Sequence, residues 1–232
     1  MWIQDSNAFD RELAAKYAPV LYLDEAEPFV PVQIGVTALR PGDRSPSFNR
    51  EFRHPSGHQG ITIIEYAIYW DYDIQHLYEL EHVWVYIDGG GRVIDGESSF
   101  HGKYLRTLLP DRSNLEDETH IRLYAQPGKH AFMPKVDYFA LVPNLVECCT
   151  VDAGKDGLTV NRMLSDRIRS SPEIDRRVEE HLRSLAFVPS MRFRRHPLAS
   201  DMFVEWPELL GQIPERLAAC LAEIGYTGPL YV

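Results

Sequence analysis

Cysteine is scarce in this chain of 232 residues: there are three, and two of them, Cys148 and Cys149, are adjacent. Such a set cannot build the disulfide framework that staples small secreted domains. Long hydrophobic runs are missing as well. No stretch approaches the roughly 18 uninterrupted apolar residues of a membrane-spanning helix. Residues 1–7 have neither the basic start nor the apolar run of a secretory leader, so the sequence predicts a cytoplasmic protein with reduced thiols. Positive charge is also in short supply, with Lys+Arg 24 against Asp+Glu 34 and a net charge of −10. That balance argues against a general nucleic-acid or anionic-membrane surface. Repeats, low-complexity tracts and Gly/Ser linkers are absent, and so is the G-x-S-x-G elbow of the commonest serine hydrolases. Residues 152–157 carry P-loop letters without the P-loop spacing, and read as a turn.

What the chain does have is globular material, with 44% apolar residues, and a pattern that changes along its length. A short helix opens it, with Asp5 or Ser6 as cap and Phe9, Leu13 and Tyr17 at four-residue spacing. Pro19 stops that helix and an extended segment follows. Residues 40–60 read as a long surface loop. The middle is β-rich. Residues 61–70 alternate with Ile64, Tyr66, Ile68 and Trp70 on one face. Residues 79–88 put Leu80, His82, Trp84 and Tyr86 on one face and Glu81, Val83, Val85 and Ile87 on the other. Gly89-Gly90-Gly91 turns this strand into another, and residues 120–125 and 137–142 are further strand candidates. In the last third, Ser171-Pro172 opens an amphipathic helix, and a final helix is expected from about Pro214 to Ile224, ended by Gly225. The reading is a mainly β, α+β fold: an antiparallel β-sandwich over residues 1–160, with a helical appendage over 161–232 packed on it as one structural unit.

The chemistry concentrates between residues 54 and 130. Seven of the nine histidines fall there, together with the acidic run Asp71 to His82. One imidazole with two or three carboxylates suits a divalent ion such as Mg, Mn, Ca or Zn, which removes the repulsion of closely packed acids. Without an ion, one carboxyl in such a cluster takes up a proton. Strand alternation sends His76 and Glu79 to opposite faces, so they converge only where the chain turns between them. His82 reads as a packed sheet residue. Arg192, Arg194 and Arg195 form a basic cluster that reads as a solvated face.

The segment from Tyr66 to Asp73, followed by Gln75-His76-Leu77-Tyr78-Glu79-Leu80-Glu81, resembles the central motif of the necrosis-inducing-protein-like superfamily, including its vacuolar-sorting-type relatives. Its motif is a strand ending in aspartate, then a G-H-R-H-D-W-E heptapeptide. Tyr17-Ala18-Pro19-Val20-Leu21-Tyr22-Leu23 is similar to the relatives' opening, and Ser99-Phe100-His101-Gly102 and Lys129-His130-Ala131 are similar to later histidine motifs. The likeness covers residues 17–152 in patches and leaves out the C-terminal helices. It implies a β-sandwich with a divalent cation held by Asp73, His76, Glu79 and Glu81, with Asp71 as the rival of Asp73. Glu79 stands where the toxins have aspartate, Tyr78 where they have a second histidine, and Leu80 where they have tryptophan.

Three functions follow as expectations. The ion serves hydrolysis of an ester or phosphoester, with His101 and His130 as proton carriers in the same cleft. Alternatively, the ion bridges a polar headgroup or sugar hydroxyls without turnover, as the toxins' binding of membrane glycolipids suggests. In the third reading the acidic loop binds nothing specific, and the helical C-terminus makes a homo-oligomer contact.

Overall fold

The computed structural model describes residues 10–53, 55 and 57–231. The first helix, α1, is Arg11–Tyr17, and its cap is Asp10, whose carboxylate accepts from the Leu13 amide at 2.9 Å. The caps expected at Asp5 or Ser6 lie outside the described residues, as does Phe9. Then come β1 (Val20–Asp24), β2 (Gln33–Leu39), β3 (Thr62–Tyr72), β4 (Leu77–Ile87), β5 (Val93–Phe100) and β6 (Lys103–Arg106). Next are β7 (Leu115–Glu116), β8 (His120–Ala125), β9 (Phe132–Met133), α2 (Leu145–Cys149) and α3 (Pro172–Ser184). The chain finishes with β10 (Phe193–His196), β11 (Phe203–Glu205) and α4 (Trp206–Glu223).

One sheet runs β10-β1-β8-β7 with β9 on β8, and the other runs β11-β2-β3-β4-β5-β6. The β-sandwich-like α+β fold that the periodicities predict is present, and its sheets are mixed: β1 with β8 and β11 with β2 pair in parallel, the other strand pairs antiparallel. The inner faces meet through Leu21, Leu23, Ile121 and Leu123 on one side and Ile64, Tyr66, Ile68, Val83 and Val85 on the other. Gly96 on β5 permits close approach, because a Cβ there would collide with the Ile121 side chain.

Two expectations are corrected. Residues 137–142 lie in a 3-10 helix, Val136–Leu141, not a strand. Pro134 and Pro143 bracket it, and a short helical segment is what fits between them. Cys148 and Cys149 end a short helix, and both are free thiols, as is Cys220. The last helix begins eight residues earlier than expected, at Trp206, with Pro207 rather than Pro214 in its first turn. Pro214 lies inside it and deprives the Leu210 carbonyl of its usual N–H donor. The Arg167 guanidinium supplies one instead, at 2.9 Å.

Both faces of β3 and β4 are buried. Part of the outer face is covered by α4, whose Trp206 and Leu209 pack on Gly35 so closely that a Cβ there would sit 2.9 Å from the indole. The rest is covered by the 40–60 loop, which brings Phe52 against Trp84 and Tyr86. The Arg50 guanidinium lies among the rings of Phe52, Trp84 and Tyr104, and its Nη2 donates to Glu97 at 2.6 Å. Beside it, the Ser47 hydroxyl donates to Glu65 at 2.6 Å. Ser47 has no second proton, so His82 Nε2 is the donor in their 2.9 Å contact, and His82 Nδ1 is left buried without a partner. Burial drives the His82 pKa down to about 3.

An imidazole that is neutral in the fold and free to protonate at about 6.5 once unfolded stabilises the fold above that pH. Its contribution is lost as pH falls from 6.5 towards 3. Denaturant unfolding at pH 7 and pH 4 should show wild type losing a few kcal/mol over this interval, and His82→Gln losing distinctly less. Equal losses would assign the acid sensitivity to other groups.

Candidate metal centre

The turn from β3 to β4 is Asp73-Ile74-Gln75-His76, and it is tied down by two neighbours. The Ile74 amide donates to the Gly128 carbonyl at 2.9 Å, and the amides of Gly154 and Asp156 donate to the carbonyls of Ile74 and Gln75 at 2.8 and 3.0 Å. The Leu77 amide donates to Gly157. The 152–157 segment is indeed a turn, and its backbone clamps the acidic loop. Asp73 closes the loop from within by accepting the Gln75 amide at 2.7 Å.

These constraints bring three predicted residues together. Ligand atoms of Asp73, His76 and Glu79 lie within 4.8 Å of one another. The turn needed for His76 and Glu79 to converge is made at Tyr78, which has φ 55°, a left-handed conformation rare for a bulky residue. The Tyr78 carbonyl can only accept, so His76 Nδ1 donates to it, at 2.8 Å. That leaves Nε2 as the nitrogen that faces both carboxylates, 3.6 Å from Asp73 Oδ1 and 3.6 Å from Glu79 Oε2, and as the one that a neutral ring offers to a ligand. Glu79 is steadied by the Leu80 amide on its other oxygen. Asp73 is fully buried and its Oδ2 has no partner.

Asp71 is not part of the group. Strand alternation turns it to the outer face, where Arg216 of α4 grips both its oxygens at 3.1 and 3.2 Å. Glu81 shares the face of Glu79 and is buried, hydrogen-bonded to the Ser99 hydroxyl. Burial pushes its carboxyl pKa well up, and the Glu79 charge adds to this. His130 is fully buried, stacked on Trp70 at 4.7 Å, with Nε2 3.4 Å from Glu27. His101 Nε2 donates to the Gln126 amide oxygen at 2.8 Å. Neither histidine joins the group of three.

Lys129 is the residue that sequence reasoning missed. Its ammonium donates to Asp73 Oδ1 at 2.6 Å, and its side chain is as good as buried. Burial alone would raise the Asp73 pKa; the charges of His76, Lys129 and His130 outweigh it and hold the carboxyl below its ordinary value. Gly128 sets the lysine's approach. It has φ 71°, and a Cβ there would lie 2.6 Å from Ile74 and 2.8 Å from Cys149 Sγ.

No protein-family model matches the chain, and no curated protein matches it. Among solved structures, the chain is similar to NLPPya in complex with mannosamine, at 22% identity over 58% of this chain and 72% of that one, TM-score 0.36. It is similar to NLPPya in complex with glucosamine at 18% identity over 57% and 75%, TM-score 0.34. A structure described as a toxin fold for microbial attack and plant defense matches at 19% identity over 57% and 76%, TM-score 0.33.

Gly128→Ala should destabilise the protein by about 1–3 kcal/mol, because the added methyl meets Ile74 and Cys149 in a conformation that disfavours it. Chemical denaturation measures this; a change below about 0.5 kcal/mol would mean that the 126–131 turn is not fixed as described.

Proposed function

We propose that this end of the sandwich is a divalent-cation site whose ligands are His76 Nε2 and the carboxylates of Asp73 and Glu79, with Glu81 as a third carboxyl behind them. The observation that carries the reading is the orientation of His76. With Nδ1 held by the Tyr78 carbonyl, its Nε2 is aimed between two carboxylates, one of which has a buried oxygen with no partner. A histidine whose other nitrogen donates to a carbonyl is the usual arrangement of a metal-bound imidazole. Two carboxylates and one imidazole fit Mn or Zn better than Ca, which prefers an all-oxygen shell.

A bound ion would supply a Lewis acid with open coordination positions. The protein's share of the work is orientation. Glu79 and His76 are partly exposed and offer the ion an outward face, while Asp73 anchors it from the core side. Such a face suits vicinal hydroxyls or an anionic oxygen, as in a sugar or a lipid headgroup, and binding without turnover is the reading we favour. The burial of His130 in the core and the hold of Gln126 on His101 support this reading over one in which they carry protons. Hydrolysis of an ester or phosphoester is the second reading. It is favoured by Glu81, a carboxyl two residues from Glu79 that lies outside the group of three and is kept in place by Ser99.

Calorimetric titration of chelator-treated protein with Mg, Mn, Ca and Zn tests the site. Saturable binding is expected, strongest for Mn or Zn, and weakened on the order of 10- to 100-fold or more by His76→Ala and by Glu79→Gln. Glu81→Gln should weaken it less. Absence of binding by all four ions would overturn the reading.

A further inference from the structure

The acidic group has a cation of its own. Lys129 Nζ lies 2.6 Å from Asp73 Oδ1, the oxygen that also faces His76 Nε2 at 3.6 Å. Both partners are withdrawn from water: Asp73 is 0% and Lys129 8% exposed. Among the five lysines of the chain this is the one whose ammonium is buried, whereas Lys155, on the neighbouring turn, pairs with Asp152 at the surface. A tether of four methylenes thus delivers a positive charge to the carboxylate that an incoming ion would need.

We propose that the Lys129 ammonium is a built-in competitor at this site: a divalent ion has to displace it from Asp73, so Lys129 sets how tightly the site takes cations. The inference rests on the cation-site reading and deepens it. Its physical basis is charge. Asp73 and Glu79 bring two negative charges and Lys129 removes one of them. A dication beside a retained ammonium would leave two like charges a few ångströms apart where little water screens them. Asp73 also gives up one oxygen to the lysine and one backbone contact to Gln75 through that same oxygen, while Oδ2 stands idle. Half of the carboxylate is thus ready for an ion and the other half is occupied by its rival.

Lys129→Met keeps the length of the side chain and removes the charge. Titration of Mn into chelator-treated wild type and Lys129→Met, with circular dichroism to verify folding, gives four distinguishable results. Mn binding by wild type that tightens about 10- to 1,000-fold in the variant supports the proposal, a range that corresponds to one unit charge at close distance in a protein interior. Binding by the variant alone also supports it, in the form that Lys129 replaces the ion, and at the same time removes the cation-site reading for the natural protein. Binding by wild type that is unchanged or weaker in the variant overturns the proposal and leaves the reading standing. Binding by neither overturns both. Lys155→Met is the control for charge at a distance: it should change Mn affinity less than twofold, and an effect equal to that of Lys129→Met would overturn the contact mechanism. If the variant does not fold, wild type alone decides. Saturating Mn should speed acylation of the Lys129 amine several-fold, read by peptide mass spectrometry, relative to Lys155; an unchanged or slower rate would overturn displacement.

Discussion

An ionised carboxylate taken fully out of water is costly unless charge and hydrogen bonds return what solvation supplied. Asp73 is such a group, and much of the surrounding architecture meets that demand. The Gln75 amide and the Lys129 ammonium bond one of its oxygens, and His76 stands close by. Lys129 reaches it because Gly128 lets the 126–131 turn press on Ile74 and Cys149. That turn is in turn held by Glu27, which accepts the Gly128 amide at 2.6 Å and lies 3.4 Å from His130. The acidic loop, the two turns beside it and the segment after β1 thus form one connected polar unit at the end of the sandwich.

What the sequence made legible was whatever depends on local period. The alternation of residues 61–70 and 79–88 corresponds to β3 and β4, and their register places Glu79 opposite Trp70 and Glu81 opposite Ile68, on the inner face. The choice of Asp73 over Asp71 was not legible in that alternation, since residues two apart share a strand face; it depends on the chain leaving β3 after Tyr72 and on Arg216, which holds Asp71 on the outer face from 145 residues away in sequence. Convergence of His76 and Glu79 was not legible. It depends on a left-handed φ at Tyr78, and no side-chain preference announces that conformation in a tyrosine. Lys129 was hidden for another reason. Its pairing with Asp73 spans 56 residues, and a lysine in a Gly-containing turn reads as solvent-facing until the fold closes over it.

Proline misled and informed by turns. Ser171-Pro172 marked the start of α3, where Ser171 accepts from the Ile174 amide. The same logic at Pro214 failed, because the helix runs through it and Arg167 serves the carbonyl that the ring leaves bare. A distant guanidinium can make a poor helix position acceptable, and a local rule has no access to it. The outer face of β4 shows the complementary case. His82, Trp84 and Tyr86 looked like one face of a strand, and they are, but loop 40–60 covers them with Arg50 and Phe52 and builds a second small core.

The strand order has a consequence for how the chain assembles. Both sheets take an edge strand from the last forty residues: β10 flanks β1, and β11 flanks β2. β1 also lies beside β8, about a hundred residues further on, in a parallel pairing that no hairpin can nucleate. The β2–β3–β4–β5 meander can form from neighbours as the polypeptide emerges, while β1, made before it, has no strand partner until β8 and β10 exist. During synthesis β1 must therefore wait with its hydrogen-bonding edges unpaired, and closure of the first sheet belongs to the slow, late phase of folding.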